Sequence, residues 1–168
     1  MEIQYDNEAI ASLTAALAAE LRAHGRRLAT AESCTGGWIA KVCTDLAGSS
    51  DWFDRGYVSY SNESKHELLG VRPADLHRFG AVSEEVAAAM ATGAQARANV
   101  DYALSVSGIA GPGGGSPDKP VGTVCFGWVM PDDDAETETL LFTGDRDDIR
   151  RQTVVHAIKG LLSRLAGR

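Results

Sequence analysis

The sequence predicts a single α/β domain, a three-layer α/β/α sandwich in which a mixed β-sheet lies between two layers of helices. Helical and extended segments alternate first along the chain, and a pair of strands joined by a turn follows. Alternation favours parallel strands, whereas a short connection favours an antiparallel hairpin, so the sheet is predicted to be mixed. A length of 168 residues suits one domain with a real core, and we assign residues 1–168 to it.

The first elements are predicted from apolar spacing and turn residues. Apolar side chains recur every three or four positions over residues 7–24, which indicates an amphipathic helix capped by Asn7. A short strand at 27–31 and a helix at about 36–46 follow. The glycine and serines of segment 48–51 then predict a turn.

The middle of the chain is predicted to contain a strand and three helices. Residues 56–60 are aromatic and β-branched enough for a strand, and they run into a short helix that ends near residue 69. A proline in the first turn indicates another short helix at 73–79. Ser83 then caps an alanine-rich helix at 84–98, which has two acidic residues in its first turn.

The last part of the chain is predicted to complete the sheet and to cover it. A buried strand at 102–107 opens into a glycine-rich loop. Strands at 121–130 and 137–143 are joined by a proline- and aspartate-rich turn, which is typical of a hairpin. A final helix begins near Gly144 and extends to about residue 165 with apolar residues on one face.

Composition and charge limit the classes of function. With 44% hydrophobic and 23% charged residues, the chain has the composition of a soluble globular protein. It has no apolar run long enough to span a membrane, and its start does not resemble a signal peptide, so we expect a cytoplasmic protein without a membrane partner. The net charge of −7 argues against a basic surface that binds nucleic acid. An anionic substrate would have to be bound by a few local arginines or lysines.

The cysteines and histidines do not indicate a disulfide framework or a metal site. Cys34, Cys43 and Cys125 are an odd number at wide spacing, which fits a reducing compartment. The four histidines lack the spacing of metal ligands, and the chain has no Cys-x-x-Cys motif. The aspartates at 132–134 are typical of an exposed hairpin turn. We therefore expect no metal site.

Three polar, glycine-bearing segments follow predicted strands, at residues 33–37, 61–65 and 107–116. Ligands of α/β sheets bind outside the carboxyl ends of strands, so these segments would form one site if the strands are parallel neighbours. Ser33 at a helix start is a candidate nucleophile beside unpaired backbone amides. The alternative is that Ser33 or Thr35 only caps the helix.

Further candidates have competing interpretations. Lys65 is a candidate general base if burial lowers its pKa, and otherwise a solvated lysine. Cys34 with His66 as its base is an alternative nucleophile, although a cysteine at such a position is more commonly a packing residue. Arg146 begins the final helix, where a cation opposes the helix dipole, so its partner is either an anion or a neighbouring aspartate. The glycine-rich loop is either a phosphate cradle or a flexible connection.

A set of ordered motifs resembles those of the CinA C-terminal domain family. In chain order they are AESCTGG at 31–37, GSS at 48–50, YSNESK at 60–65, GAVS at 80–83, SGIAGP at 107–112, KPVGTV at 119–124 and GDR at 144–146. The resemblance runs from about Ala31 to Arg151 and, loosely, over the whole chain. Departures are small, such as Gly113 inside the glycine-rich loop.

The resemblance implies the activity of the family's stand-alone members, which are nicotinamide-nucleotide amidases. They hydrolyse the carboxamide of nicotinamide mononucleotide to nicotinate mononucleotide and ammonia. The implied mechanism is a Ser–Lys acyl-enzyme pathway that needs no metal ion and no cofactor. Carried over to this sequence, Ser33 would be the nucleophile, Lys65 the base, and Tyr60 a residue that assists proton transfer or holds Lys65.

The resemblance also implies residues around the substrate and an assembly. The implied substrate-binding residues are Cys34, Thr35, Gly36, Ser107, Gly108, Gly111 and, for the phosphate, Arg146. Family members are commonly oligomeric, so we expect a homodimer or a larger homo-oligomer. Some members carry a further N-terminal domain of molybdopterin-binding type, for which this chain has no room. Two alternatives stay open, namely a non-catalytic nucleotide-binding or regulatory module and an amidase that uses Cys34.

Overall fold

The computed structural model describes residues 5–167 and contains a five-stranded sheet of order β2-β1-β3-β4-β5. The strands are Leu28–Glu32 (β1), Phe53–Val58 (β2), Tyr102–Gly108 (β3), Thr123–Val129 (β4) and Glu136–Leu141 (β5). Strands β2, β1 and β3 run parallel, whereas β4 and β5 each pair antiparallel with the preceding strand. The predicted mixed sheet is therefore confirmed.

Helices cover both faces of the sheet. They are Asn7–Ala23 (α1), Trp38–Thr44 (α2), Asn62–Leu69 (α3), Pro73–Phe79 (α4), Glu84–Ala98 (α5) and Arg146–Ala166 (α6). Helices α1, α2 and α6 share one core with the sheet, and α3, α4 and α5 share the other. This arrangement confirms the predicted three-layer α/β/α sandwich. Among the residues described, no helix has the length and apolarity needed to cross a bilayer.

The buried strands explain the layering. Every residue of β1 and β4 is buried, as are all but the last of β3, and strands of this kind need cover on both faces. On the α5 side the sheet presents small residues, and the Ser105 hydroxyl donates to the Ala87 carbonyl of α5 at 2.6 Å. A Cβ on Gly127 would lie only 2.7 Å from that carbonyl oxygen. Helix α5 therefore packs close to the sheet and provides a rigid base for α3.

Two element boundaries differ from the prediction. Strand β2 begins at Phe53 and ends at Val58, so the predicted strand at 56–60 was placed too late. The observed strand lies at the sheet edge and therefore carries charged residues. A search for apolar runs does not detect a strand of this kind. Helix α2 begins at Trp38, not near Gly36, because the two preceding glycines have left-handed backbones with φ of 60° and 99°. The first helix is capped by Asp6, one residue before the predicted Asn7.

We expect Gly93→Ala to destabilise the fold by about 1–3 kcal/mol, the usual cost of overpacking. A Cβ at Gly93 in α5 would overlap the carbonyl oxygen of Leu69, the last residue of α3. The clash is with backbone, so we expect it to outweigh the helix-propensity gain of about 1 kcal/mol. Urea unfolding of the variant measures the change. Gly113→Ala is the matched control, because a Cβ there meets nothing within 4 Å, and equal stabilities of the two variants would contradict the expectation.

Candidate active site

The carboxyl ends of β2, β1 and β3 lie side by side at one edge of the sheet. Glu32, the last residue of β1, is in register with Val58 of β2 on one side and with Val106 of β3 on the other. The three polar segments predicted to form a site follow these parallel strands directly. The topology thus brings them together, as expected for parallel neighbours.

The side chains of Ser33 and Lys65 meet at this edge. The Lys65 amine lies 3.0 Å from the Ser33 hydroxyl oxygen, although the two residues are 32 positions apart in sequence. Ser61 caps α3, its side chain accepting a hydrogen bond from the Ser64 amide at 3.1 Å, and Lys65 follows within the first turn. Both side chains of the pair are buried, at 7% exposed for Ser33 and 1% for Lys65.

Backbone carbonyls complete the surroundings of the amine. The Lys65 Nζ donates to the Ser59 carbonyl at 2.8 Å and to the Tyr60 carbonyl at 3.1 Å. Burial lowers the pKa of Lys65, because desolvation disfavours the charged ammonium. A buried lysine that contacts a serine hydroxyl has the properties of a general base beside a nucleophile.

Glu32 holds the loop that carries Ser33, and sequence reasoning gave it no role. Its buried carboxylate accepts hydrogen bonds from the Thr35 hydroxyl at 2.6 Å and from the amides of Ile39 and Ala40 at 2.8 and 3.0 Å. Burial raises the pKa of Glu32, and these hydrogen bonds oppose that rise. An acidic residue ending a strand that is otherwise free of charge was the signal that could have found it.

The amides at the start of α2 are therefore already bonded to Glu32. This corrects the interpretation of the helix start as a ready-made anion site. The Gly36 amide is also engaged, since it donates to the Ser33 carbonyl at 3.1 Å. Within residues 5–167, the amide of Thr35 is a donor of this loop without a hydrogen-bond acceptor, whereas the Cys34 amide interacts with the sulfur of its own side chain.

Tyr60 and Arg146 form a rim beside the Ser33–Lys65 pair. Tyr60 is 64% exposed, and its hydroxyl accepts a hydrogen bond from Arg146 at 3.3 Å. The same guanidinium donates to the Gly111 carbonyl at 2.7 Å, so Arg146 links the end of β2 to the glycine-rich loop. Tyr60 contacts Lys65 through its backbone carbonyl, whereas its phenol faces Arg146.

The residues predicted near the third strand lie at the end of β3 and in the loop that follows it. The Ser107 hydroxyl is buried and donates to the Ala81 carbonyl at 2.8 Å. A Cβ on Gly108 would lie 2.7 Å from a methyl group of Val124, so a larger residue does not fit there without displacement. Gly111 has a φ of 80°, which a side chain rarely tolerates. The loop geometry thus depends on these small residues.

Cys34 lies beside the pair in surroundings that disfavour a thiolate. It is buried, and burial raises its pKa to about 12. The thiolate is the nucleophilic form, so this environment argues against Cys34 as the nucleophile near neutral pH. The ring of His66, its suggested base, lies 2.9 Å from the Val71 carbonyl at the other end of α3. Among residues 5–167, no three His, Cys, Asp or Glu side chains are grouped so that they could hold a metal ion.

Comparisons with known proteins identify the family. The model of the CinA C-terminal domain matches residues 10–165. Nicotinamide-nucleotide amidohydrolase PncC of Escherichia coli is 55% identical over 141 residues, which cover 84% of this chain and 86% of the relative. The protein of the same name from Pseudomonas putida is 49% identical over 153 residues, covering 91% and 95%.

Solved structures agree with this result. The CinA superfamily protein of Klebsiella pneumoniae superimposes with a TM-score of 0.90 at 40% identity, covering 95% of this chain and 99% of that one. A competence or damage-inducible protein of Enterobacter asburiae gives a TM-score of 0.89 at 40% identity, covering 93% and 98%. The chain therefore belongs to the CinA C-terminal domain family, as its motifs indicated. The Escherichia coli and Pseudomonas putida relatives, which the match covers to 86% and 95% of their own length, are named as amidohydrolases.

Proposed function

We propose that this chain, as one amidase domain of residues 1–168, hydrolyses the carboxamide of nicotinamide mononucleotide to nicotinate mononucleotide and ammonia. The observation that carries the proposal is the 3.0 Å contact between the buried Lys65 amine and the Ser33 hydroxyl. The name of relatives that are 55% and 49% identical supports the choice of substrate.

Lys65 acts as the general base in the proposed mechanism. A neutral amine has two N–H groups and one lone pair. The carbonyls of Ser59 and Tyr60 accept the two N–H groups, which leaves the lone pair for the Ser33 hydroxyl. The lowered pKa of Lys65 makes the neutral form accessible at a lower pH than for a solvated lysine.

The proposed reaction has two halves. The Ser33 oxygen attacks the carboxamide carbon while its proton moves to the Lys65 amine, and the resulting ammonium returns a proton to the departing ammonia. Water then attacks the acyl-enzyme ester while Lys65 accepts its proton, and the resulting ammonium returns that proton to the Ser33 oxygen as the nicotinate product leaves. The amide of Thr35, which has no acceptor within residues 5–167, is suited to stabilise the oxyanion of each tetrahedral intermediate.

The rim residues would bind the remote part of the substrate. Arg146 is our candidate for the phosphate, because its guanidinium lies between Tyr60 and Gly111 at the mouth of the site. Binding a phosphate far from the scissile bond supplies energy that can be used to orient the carboxamide. Cys34, Thr35, Gly36, Ser107 and Gly108 would form the walls.

We also propose a cytoplasmic location and assembly into a homodimer or a larger homo-oligomer. The three cysteines, all free and buried, fit a reducing compartment. Oligomerisation rests on family membership alone.

Purified protein is expected to release ammonia from nicotinamide mononucleotide in equimolar amount with nicotinate mononucleotide, measured by a coupled ammonia assay and by chromatography. Cys34→Ala is expected to retain activity within about threefold, since the thiol of Cys34 is protonated and takes no part. Loss of all activity in this variant, with the fold intact, would favour the cysteine mechanism. Absence of ammonia release from the wild type would refute the proposed function.

A further inference from the structure

We propose that Arg150 is a positioning residue for amide hydrolysis, because it holds the Cys34–Thr35 peptide with its N–H group directed at the substrate's carboxamide oxygen, which becomes an oxyanion when Ser33 attacks. This inference rests on the proposed function. The Nε of Arg150 donates to the Cys34 carbonyl and its Nη2 donates to the Thr35 carbonyl, each at 3.1 Å. The two residues joined by these hydrogen bonds are more than a hundred positions from Arg150 in sequence.

The two hydrogen bonds from Arg150 fix the orientation of the Thr35 and Gly36 amides, because the peptide group is rigid. In a trans peptide the carbonyl oxygen and the N–H hydrogen point in opposite directions. The Cys34–Thr35 and Thr35–Gly36 peptides are trans, so the N–H groups of Thr35 and Gly36 point away from Arg150. The Gly36 N–H donates to the backbone carbonyl of Ser33 at 3.1 Å, so this direction leads to the backbone of the residue that carries the nucleophilic hydroxyl.

The Thr35 N–H points to the same side but has no acceptor within residues 5–167. A donor of this kind, held beside the nucleophile, is the group that an oxyanion requires. Arg150 thus affects the reaction by orienting the Cys34–Thr35 peptide group and not by contacting the substrate.

The charge of Arg150 strengthens the same effect. No carboxylate lies within ion-pair distance of Arg150 among the described residues. A cation that binds the carbonyl end of a peptide group polarises it and makes its N–H end a better donor. Helix α6 and the Trp38 ring, 5.5 Å from the guanidinium carbon, hold Arg150 in this place.

Arg151 provides a matched control. Its guanidinium also lies over the Trp38 ring, at 5.0 Å, and it donates to the Asn7 side chain at 2.7 Å. Its hydrogen bonds go to the start of α1 instead of the Ser33 loop. Arg151→Ala therefore removes the same kind of side chain from the same helix without releasing the Cys34 and Thr35 carbonyls.

The experiment measures kcat and KM for nicotinamide mononucleotide in the wild type, Arg150→Ala, Arg150→Lys and Arg151→Ala. We expect Arg150→Ala to lower kcat by about 10- to 100-fold, somewhat less than deletion of an oxyanion donor, with KM changed less than about threefold. Added guanidinium chloride at millimolar concentration should restore part of the kcat of Arg150→Ala. Arg150→Lys should fall between that variant and the wild type, and Arg151→Ala should match the wild type.

Unchanged kcat in Arg150→Ala, a loss confined to KM, or an equal loss in Arg151→Ala would each overturn the inference. If Arg150→Ala fails to fold, Arg150→Lys is compared with Arg150→Met, which has a similar aliphatic stem but no donor. The kcat of Arg150→Lys is then expected to be about tenfold higher than the kcat of Arg150→Met, and equal values overturn the inference. Absence of wild-type turnover overturns the proposed function and this inference together, whereas normal wild-type turnover with an unaffected Arg150→Ala overturns the inference alone.

Discussion

Ser33→Ala is expected to lower kcat for nicotinamide mononucleotide hydrolysis by about 10⁴-fold or more, the scale seen when an enzyme loses its nucleophile. The variant lacks the oxygen that forms the acyl-enzyme. Its side-chain hydrogen bond is to Lys65, so the substitution removes one contact and leaves a small buried residue in place. Ammonia release measures the loss, and thermal unfolding checks that the fold is retained.

Mass spectrometry of rapidly quenched protein tests directly whether an acyl-enzyme ester forms on Ser33. Wild-type protein mixed with excess substrate should gain the mass of the substrate less one ammonia, as expected for an ester on Ser33. Ser33→Ala should gain nothing. Ser163→Ala is the matched control, because this exposed serine of α6 bonds only its own helix, at the Lys159 carbonyl. Wild-type turnover in Ser33→Ala would refute the nucleophile, and intact ligand affinity without any wild-type turnover would favour the non-catalytic alternative.

Lys65→Met is expected to lower kcat by about 10²- to 10⁴-fold, the range for loss of a general base. Methionine is unbranched and apolar, so it suits the buried site, but its thioether sulfur is not basic enough to accept the Ser33 proton. The Ser59 and Tyr60 carbonyls lose their donor, and a stability loss of about 1–3 kcal/mol is expected from the buried Ser59 carbonyl left unpaired. Kinetic measurements at a temperature well below the unfolding midpoint separate the loss of catalysis from the loss of stability.

The pH dependence of the wild type follows from the same lysine. Lys65 must be neutral to accept a proton, and burial lowers its pKa from the ordinary value of 10.5. Activity is therefore expected to rise with pH through the lowered pKa and to level off above it. The residual activity of Lys65→Met should lack this rise. A wild-type rate that falls as pH increases through this range would contradict the base assignment.

The free energy of unfolding should also rise with pH, as the activity does. Between the lowered pKa and 10.5, the unfolded chain holds a proton on Lys65 that the folded chain has lost. Stability rises with pH wherever the unfolded state binds more protons, so the wild type should gain stability over this window relative to Lys65→Met. Urea unfolding of both proteins at several pH values measures the difference.

Much of the architecture was predictable because its causes are local. The buried strands β1, β3 and β4 contain little charge, and glycine, proline and capping residues mark where helices end or begin. Strand β2 was misplaced because it lies at the sheet edge, where charged residues such as Asp54 and Arg55 are tolerated. Polar residues after three strands indicated a site before its geometry was known.

The order of elements, the mixed sheet and the three polar segments were thus determined by the sequence alone, since periodicity, capping and turn chemistry act over a few residues. Tertiary structure alone decided the contacts of the site. Lys65 reaches Ser33 because β1 and β2 are neighbours and α3 starts at a fixed point beyond β2. Arg150 reaches the Cys34 and Thr35 carbonyls only once α6 packs against the sheet. Such contacts depend on distances of a few tenths of an ångström, which packing of the whole domain determines and local propensity does not.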